Sequence, residues 1–213
     1  MSERTVRAYV GLGANLGDAE ATLTEAVRAL AALRGMRLRA VSRLYATEPV
    51  GVTDQPEFRN AVVALDVPAL PDPERGSIAL LSALKALERE FGRRTRERWG
   101  PRELDLDLLV FGRARVTIER PPAARSIDAE TDPAKAAKVL EVPHPAARSR
   151  LFVLAPLADL VPGLVPPGWG ETVDTARRRR EREEGPGAVH AIGEWDPKSR
   201  RWRRLALTDP QPR

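Results

Sequence analysis

Two aspartates separated by one leucine are the most chemically suggestive feature of this 213-residue sequence. If the apolar run from Leu104 to Phe111 is a β-strand, its period of two points Asp105 and Asp107 to one face and Leu104, Leu106 and Leu108 to the other. Two carboxylates about 6–7 Å apart repel each other unless they face open water or share a cation. Mg²⁺ suits such oxygen ligands and usually binds substrate phosphates as well. The pair therefore predicts a site for magnesium and a polyphosphate.

Alternating aspartate and leucine is also typical of an amphipathic strand that has no site. The residues before the pair favour a site, because guanidinium groups suit contacts with phosphate oxygens. Five arginines precede Asp105 within about ten residues: Arg93, Arg94, Arg96, Arg98 and Arg102. Trp99 lies among them beside Gly100 and Pro101, and an aromatic ring in a rigid loop indicates contact with a planar ligand.

The composition limits the class of protein. With 42% hydrophobic residues, the chain can build one medium domain with additions, or at most two small ones. The absence of cysteine excludes a disulfide framework and thiolate zinc sites, and it agrees with a cytoplasmic location. We expect no membrane contact, because the longest weakly polar stretch, 151–170, contains Asp159 and several prolines. The arginines of 177–182 alternate with glutamates near their end, which is typical of a solvated surface.

The hydrophobic pattern predicts a regular order of elements in the first half of the chain. We expect strands at 5–10, 38–45, 61–67 and 104–111, with helices after Asp18 and from Pro73. This β-α-β-β-α-β order predicts an α+β fold, a ferredoxin-like sandwich with added C-terminal elements. Two helices are then expected to cover one face of a mainly antiparallel sheet, leaving the other face open for a ligand.

Three glycines between the first strand and the first helix resemble a phosphate-binding turn. Gly11, Gly13 and Gly17 have the spacing G-x-G-x-x-x-G, however, which differs from the nucleotide-binding pattern. We interpret them as a tight structural turn. The loop 47–60 is irregular and long enough to suggest a function of its own.

Four blocks of the sequence resemble the 6-hydroxymethyl-7,8-dihydropterin pyrophosphokinase family. They are AYVGLGANLGD at 8–18, SRLYATEPVG with QPEFRNA at 42–61, GR with RWGPRELDLD at 92–107, and VPHP with RLFVL at 142–154. The resemblance implies an ATP-dependent diphosphotransferase of folate biosynthesis. Such an enzyme transfers pyrophosphate from ATP to the hydroxymethyl group of 6-hydroxymethyl-7,8-dihydropterin and releases AMP.

The resemblance also implies roles for individual residues. Two Mg²⁺ ions would be bound with ATP by Asp105 and Asp107, which together with Arg93 and Arg102 are the implied catalytic residues. The implied pterin-binding residues are Thr47, Glu48, Val50, Phe58, Asn60, Trp99 and Phe152. The implied ATP-binding residues are Lys85, Glu88, Arg93, Trp99, Arg102, Leu108, Leu140, His144 and Arg150.

Some positions depart from the family pattern. Thr95 stands where the family usually has a phosphate-binding arginine, so Arg94 or Arg96 is the expected substitute, and Phe58 replaces a frequent tyrosine. We expect a pterin pyrophosphokinase domain at 1–170 with an inserted loop at about 119–139. A basic extension at 171–213 would follow, in which 188–195 and 201–207 could form a hairpin. We expect a monomer or a weak dimer.

Two other classes of protein stay open. An RNA-binding module could share the fold, but such modules stack bases on exposed aromatic residues of the strands. Without a metal, Asp105 and Asp107 would repel the phosphates of an RNA. A nucleotide-sugar transferase also uses paired aspartates with a metal, but that function leaves the loop 47–60 unexplained. We therefore expect small-molecule substrates and no nucleic-acid partner.

Overall fold

A computed structural model describes residues 4–49, 54–92, 101–120, 138–185 and 187–205. The strands are β1 (Thr5–Ala14), β2 (Arg37–Val41), β3 (Leu44–Thr47), β4 (Phe58–Pro68), β5 (Asp105–Phe111), β6 (Val116–Glu119), β7 (Lys138–Val142), β8 (Val189–Asp196) and β9 (Arg201–Arg204). The α-helices are α1 (Ala19–Ala32), α2 (Pro73–Glu90), α3 (Leu151–Leu160) and α4 (Val173–Glu184). A short 3₁₀ helix, Ala147–Ser149, precedes α3.

Seven strands form one antiparallel sheet in the order β5-β1-β4-β3-β8-β9, and β2 pairs with β4 next to β3. Strands β6 and β7 form a separate two-stranded sheet. The central strands and the helices α1 and α2 have the expected β-α-β-β-α-β order, in which β2 and β3 share one position. The ferredoxin-like fold class is confirmed.

Helices α1 and α2 cover one face of the sheet. Each begins at an aspartate whose side chain accepts a backbone N–H of the first turn, Asp18 from Ala21 at 2.9 Å and Asp72 from Arg75 at 2.7 Å. Their apolar stripes pack against Leu106 and Leu108 of β5 in one core. Its most buried members include Leu23, Val27 and Leu30 of α1, Leu80 and Leu84 of α2, and Leu104, Leu106 and Leu108.

The second face of the sheet is not open along its whole length, so that expectation is wrong. Helices α3 and α4 pack on it and bury Tyr9, Val62 and Leu109 in a second core. The physical reason is the composition of α3, which is apolar on nearly all sides and must bury that surface against the sheet. At the end where β5 begins, the side chain of Asp105 is still partly exposed.

The glycine segment also differs from its prediction. Strand β1 continues to Ala14, so Gly11 and Gly13 are strand residues paired on both sides, with β4 and with β5. Only Gly17 has the positive φ, 58°, that a turn glycine adopts. No helix within the described ranges is both long and apolar enough to span a bilayer.

The C-terminal segment adds to both layers. Helix α4 joins the second core, and β8 pairs with β3 while β9 pairs with β8 as a hairpin. Trp202 of β9 is 4% exposed and belongs to the first core. The segment therefore lengthens the sheet beyond β3.

Candidate active site

A row of residues crosses the sheet where β5 begins. Asp105 and Asp107 pair with Gly13 and Gly11 of β1, and Gly13 pairs on its other side with Asn60 of β4. Residues directly opposite each other in a sheet share a face. Asp105, Asp107 and Asn60 therefore lie on the same face, opposite Leu106 and Leu108, as the period of two predicted.

The two strand glycines keep this part of the face flat. A Cβ atom added to Gly13 would lie 3.3 Å from Oδ1 of Asn60, which is a tight contact. With no side chain at either position, the backbone of β1 forms the floor between the Asn60 amide and the two carboxylates. A planar ligand can approach this floor closely.

Arg102 stands beside the aspartates. Its guanidinium donates to Asp105 at 2.7 Å, and both side chains are partly exposed. An arginine paired with a carboxylate at an open surface can exchange that partner for a phosphate at little cost, because both contacts are charge-assisted. The predicted catalytic residues Asp105, Asp107 and Arg102 are therefore adjacent.

Asp107 lies in a field of positive charge. Burial acts to raise the pKa of its carboxyl, but the charges of His144, Lys85, Arg150 and Arg102 outweigh burial and hold the pKa below its usual value. The structure thus brings four of the predicted ATP-binding residues near one carboxylate. Asp107 is ionised at neutral pH and can serve as a metal ligand.

Glu88 has a contact that the sequence did not predict. Its side chain is 2% exposed, and Oε1 accepts both the backbone N–H of Leu106 and Nζ of Lys85, each at 2.7 Å. Lys85 also donates to the carbonyl of Leu106 at 3.2 Å. The two side chains fix the residue between the aspartates, while their contact with ATP stays a prediction.

Asn15 is a structural residue of the site that sequence reasoning missed. Its Oδ1 accepts the backbone N–H of Arg102 at 2.7 Å, and its own N–H donates to the Arg102 carbonyl at 3.1 Å. Its Nδ2 donates to Oε1 of Gln55 and to the carbonyl of Pro56. Asn15 is buried. It joins the end of β1 to the loop 47–60 and to Arg102 of the arginine-rich segment before Asp105. The available signal was a polar amide directly after a buried strand.

Three of the predicted pterin-binding residues, Thr47, Phe58 and Asn60, lie on the neighbouring strands β3 and β4. Nδ2 of Asn60 donates to Oγ1 of Thr47 at 2.9 Å, and both residues are buried. Phe58 is half-buried at the start of β4, and Glu48 is exposed just beyond β3. Phe152 is half-buried in the first turn of α3, where the Arg150 guanidinium lies 5.7 Å from its ring centroid.

Two predicted ATP-binding residues do not reach the site with their side chains. Leu108 and Leu140 are 2% and 7% exposed and belong to the core under α1 and α2. Leu108 alternates with Asp107 along β5 and therefore points to the opposite face. The contact of these two leucines with ATP stays a prediction, and a backbone group would have to make it. The predicted positions Val50, Arg93 and Trp99, and Thr95 with its neighbours, lie outside the described residues.

Asp105 and Asp107 fit a magnesium ion that is also bound by the phosphates of a substrate. Within the part of the chain that the structure describes, no three or more His, Cys, Asp and Glu side chains come together as a metal-binding group. Mg²⁺ needs only one or two protein carboxylates, since water and phosphate oxygens complete its shell. Asp105 and Asp107 supply that number from one face of one strand.

Curated pyrophosphokinases are similar to this chain in sequence. The chain is 42% identical over 158 residues to the 2-amino-4-hydroxy-6-hydroxymethyldihydropteridine pyrophosphokinase of Pseudomonas aeruginosa, covering 74% of this chain and 82% of that protein. It is 41% identical over 170 residues to the protein of the same name from Methylorubrum extorquens, covering 80% and 90%.

Solved structures support the fold. An HPPK-DHPS protein in complex with substrates aligns with a TM-score of 0.67 at 12% identity, covering 96% of this chain and 50% of that one. Wild-type Plasmodium falciparum HPPK-DHPS with pteroate aligns with a TM-score of 0.66 at 13% identity, covering 96% and 48%. The chain thus spans about half the length of these structures. The family model for 7,8-dihydro-6-hydroxymethylpterin-pyrophosphokinase matches residues 9–162, and the chain belongs to that family.

Proposed function

We propose that this chain transfers the terminal pyrophosphate of ATP to the hydroxymethyl oxygen of 6-hydroxymethyl-7,8-dihydropterin and releases AMP. It would act in folate biosynthesis as an ATP-dependent diphosphotransferase. The observation that carries the proposal is the shared sheet face of Asp105, Asp107 and Asn60, with only glycine between them. An amide suited to a pterin edge therefore lies beside carboxylates suited to a metal-bound phosphate.

The carboxylates and the basic residues have complementary roles. Asp105 and Asp107 would hold two Mg²⁺ ions, which would neutralise charge on the phosphate oxygens and make the attacking hydroxyl more acidic. Arg102, Arg150 and His144 would bind the phosphates directly. Phosphoryl transfer depends mainly on positioning and electrostatics, so no covalent nucleophile is assigned.

The pterin would lie flat on the backbone of β1. Phe58 and Phe152 would contact the faces of its ring, and Asn60 with the backbone around Thr47 would hydrogen-bond its polar edge. The bond from Asn60 to Thr47 orients the amide before substrate arrives, because it fixes which atom of the side chain faces the floor. Glu48, Val50 and Trp99 stay predictions for this site.

The test of the proposed function is product identification. Phosphorus NMR of the chain with ATP, Mg²⁺ and 6-hydroxymethyl-7,8-dihydropterin should show AMP and a pterin diphosphate in equal amounts. AMP should not form when the pterin is omitted or when EDTA removes the metal. Formation of ADP, or release of phosphate without the pterin, would exclude a pyrophosphokinase.

The organisation of the whole chain is also proposed. We assign 1–170 to the pterin pyrophosphokinase domain and 171–213 to an extension, and the end of the family match at residue 162 supports this division. The inserted loop at 119–139 lies largely outside the described residues. A monomer or weak dimer and a cytoplasmic location stay predictions from the sequence.

A further inference from the structure

The C-terminal hairpin reaches the predicted pterin site through the sheet. Strand β8 pairs with β3 from Leu44, opposite Gly193, to Thr47, opposite Val189. Thr47 accepts the Asn60 amide hydrogen bond. Strand β3 pairs with β4 over only three residues, Tyr45 to Thr47. The hairpin therefore supplies the second neighbour of a very short strand that carries a substrate-binding residue.

Trp202 anchors this hairpin in the core. Its ring is 4% exposed and packs edge-on against Trp195, with the ring centroids 4.8 Å apart. Its Nε1 donates to the carbonyl of Ser42 at 2.9 Å. A Cβ atom on Gly193 would lie 3.2 Å from Cβ of Trp202, so the glycine permits this close packing.

Ser42 connects Trp202 to strand β4 through hydrogen bonds. Its Oγ accepts the backbone N–H of Val62, and its own N–H donates to the Val62 carbonyl, both at 2.9 Å. Val62 is two residues from Asn60 on the same strand and the same face. The hairpin turn is held independently by Arg28 of α1, which donates to the carbonyls of Arg200 and Ser199.

We propose that the β8–β9 hairpin is a brace for the pterin site and that Trp202 is its positioning residue. By holding Ser42 and pairing with β3, the hairpin keeps Thr47 and Asn60 in the geometry that binds the pterin edge. A short edge strand without this neighbour would fray and lose the geometry of the Asn60 amide. The proposal rests on the proposed function. It adds Trp202, which is remote from the site, to the residues on which binding of the pterin depends.

The test compares Trp202→Ala with Trp202→Phe. In Trp202→Ala we expect the KM for the pterin to rise roughly tenfold, while the KM for ATP and kcat change by less than about twofold, because the brace acts on one substrate only. Trp202→Phe keeps an aromatic ring against Trp195 and loses only the bond to Ser42, so it should recover most of the pterin affinity.

A matched control separates positioning from loss of stability. Leu33→Ala removes a side chain from the same core at the end of the sheet where β2 begins, and it should lower the unfolding temperature without changing the KM for the pterin. Equal rises in both KM values for Trp202→Ala, or a rise in the pterin KM for Leu33→Ala, would overturn the brace.

Amide hydrogen exchange tests the brace without any substrate. The amides of β3 should exchange faster in Trp202→Ala than in the unaltered chain, with a smaller increase in Trp202→Phe, whereas those of α2 should not change. Unaltered exchange in β3 would refute the proposal even if the enzyme is active. If the unaltered chain forms no pterin diphosphate, the proposed function fails, and the exchange comparison still decides whether the hairpin stabilises β3.

Discussion

The buried carboxylate of Glu88 accepts the backbone N–H of Leu106 at 2.7 Å and thereby links helix α2 to the residue between two aspartates. Strand β5 is at one end of the main sheet, with β1 as its neighbour there. Glu88 takes the place of a further strand for that N–H, so the spacing of Asp105 and Asp107 depends on a helix as well as on the sheet.

Replacing Glu88 by alanine should destabilise the fold. The change leaves a buried N–H without its acceptor, and we expect the free energy of unfolding to fall by about 2–3 kcal/mol. Glu88→Gln retains an acceptor and should lose about half as much. Urea unfolding measures both, with the exposed Glu90→Ala as the control that should stay near the unaltered value. Equal stability of Glu88→Ala and Glu90→Ala would contradict the role of this contact.

Removing the charge of Asp107 should abolish catalysis but not folding. For Asp107→Asn we expect kcat to fall by at least about 100-fold, the loss typical for one group that stabilises transition-state charge. Calorimetry with a nonhydrolysable ATP analogue should show weaker magnesium-dependent binding. Asp66→Asn is the matched control, since Asp66 is a strand aspartate paired with Arg7 at the other end of β4. Near-full activity of Asp107→Asn with Mg²⁺ would refute the metal assignment.

Asn15→Ala should affect activity more than stability. The variant loses the bonds to Arg102, Gln55 and Pro56, and we expect unfolding to become easier by about 2 kcal/mol because the amide is buried. We expect kcat/KM to fall by more than this loss of stability would cause by itself, since Arg102 and the loop 47–60 lose their common partner. Gln55→Ala removes only one of these bonds and should show a smaller decrease in kcat/KM. The ranking would be refuted if Gln55→Ala were the more damaging change.

Tyr45 should make the fold sensitive to alkali. Burial of its hydroxyl raises the pKa of Tyr45 above its ordinary value of 10.0, and the Asp159 carboxylate adds to this, although Arg43 opposes it. The folded state therefore keeps the proton at a pH where the unfolded chain loses it. The resulting stabilisation is complete below pH 10 and is lost as the pH rises towards the raised folded-state value.

Urea unfolding at several pH values measures this effect. At pH 7 we expect Tyr45→Phe to be less stable than the unaltered chain by about 1 kcal/mol, because it lacks the hydrogen bond to Asp159. The difference should shrink above pH 10, the ordinary tyrosine value. Tyr9→Phe should leave the alkaline loss in place. A constant difference between the unaltered chain and Tyr45→Phe across the range would contradict the assignment.

Local patterns predicted the elements that carry the carboxylates. The period of two in β5 correctly placed Asp105 and Asp107 opposite Leu106 and Leu108, because alternation along a strand needs no knowledge of the partner strands. The cap at Asp18 was equally local. The shared face of Asp105 and Asp107 could therefore be predicted from the sequence alone.

Other features depend on residues far apart in the sequence. Asn15 bonds to partners 40 and 87 positions away, so no local pattern could reveal its role. Helix α3 is apolar on most sides and gives little indication of which surface it covers. The family resemblance assigned Leu108 to ATP, but a resemblance does not say whether a side chain or a backbone makes the contact.

The hairpin also changes which strand ends the sheet. All four residues of β3 are buried, and without β8 this apolar strand would present unpaired backbone groups to other molecules, which invites edge-to-edge aggregation. In the described structure the last strand is β9, where Arg201, Arg203 and Arg204 are exposed. Three like charges along a short strand discourage another chain from pairing there, so the extension protects the enzyme's solubility at the edge it creates.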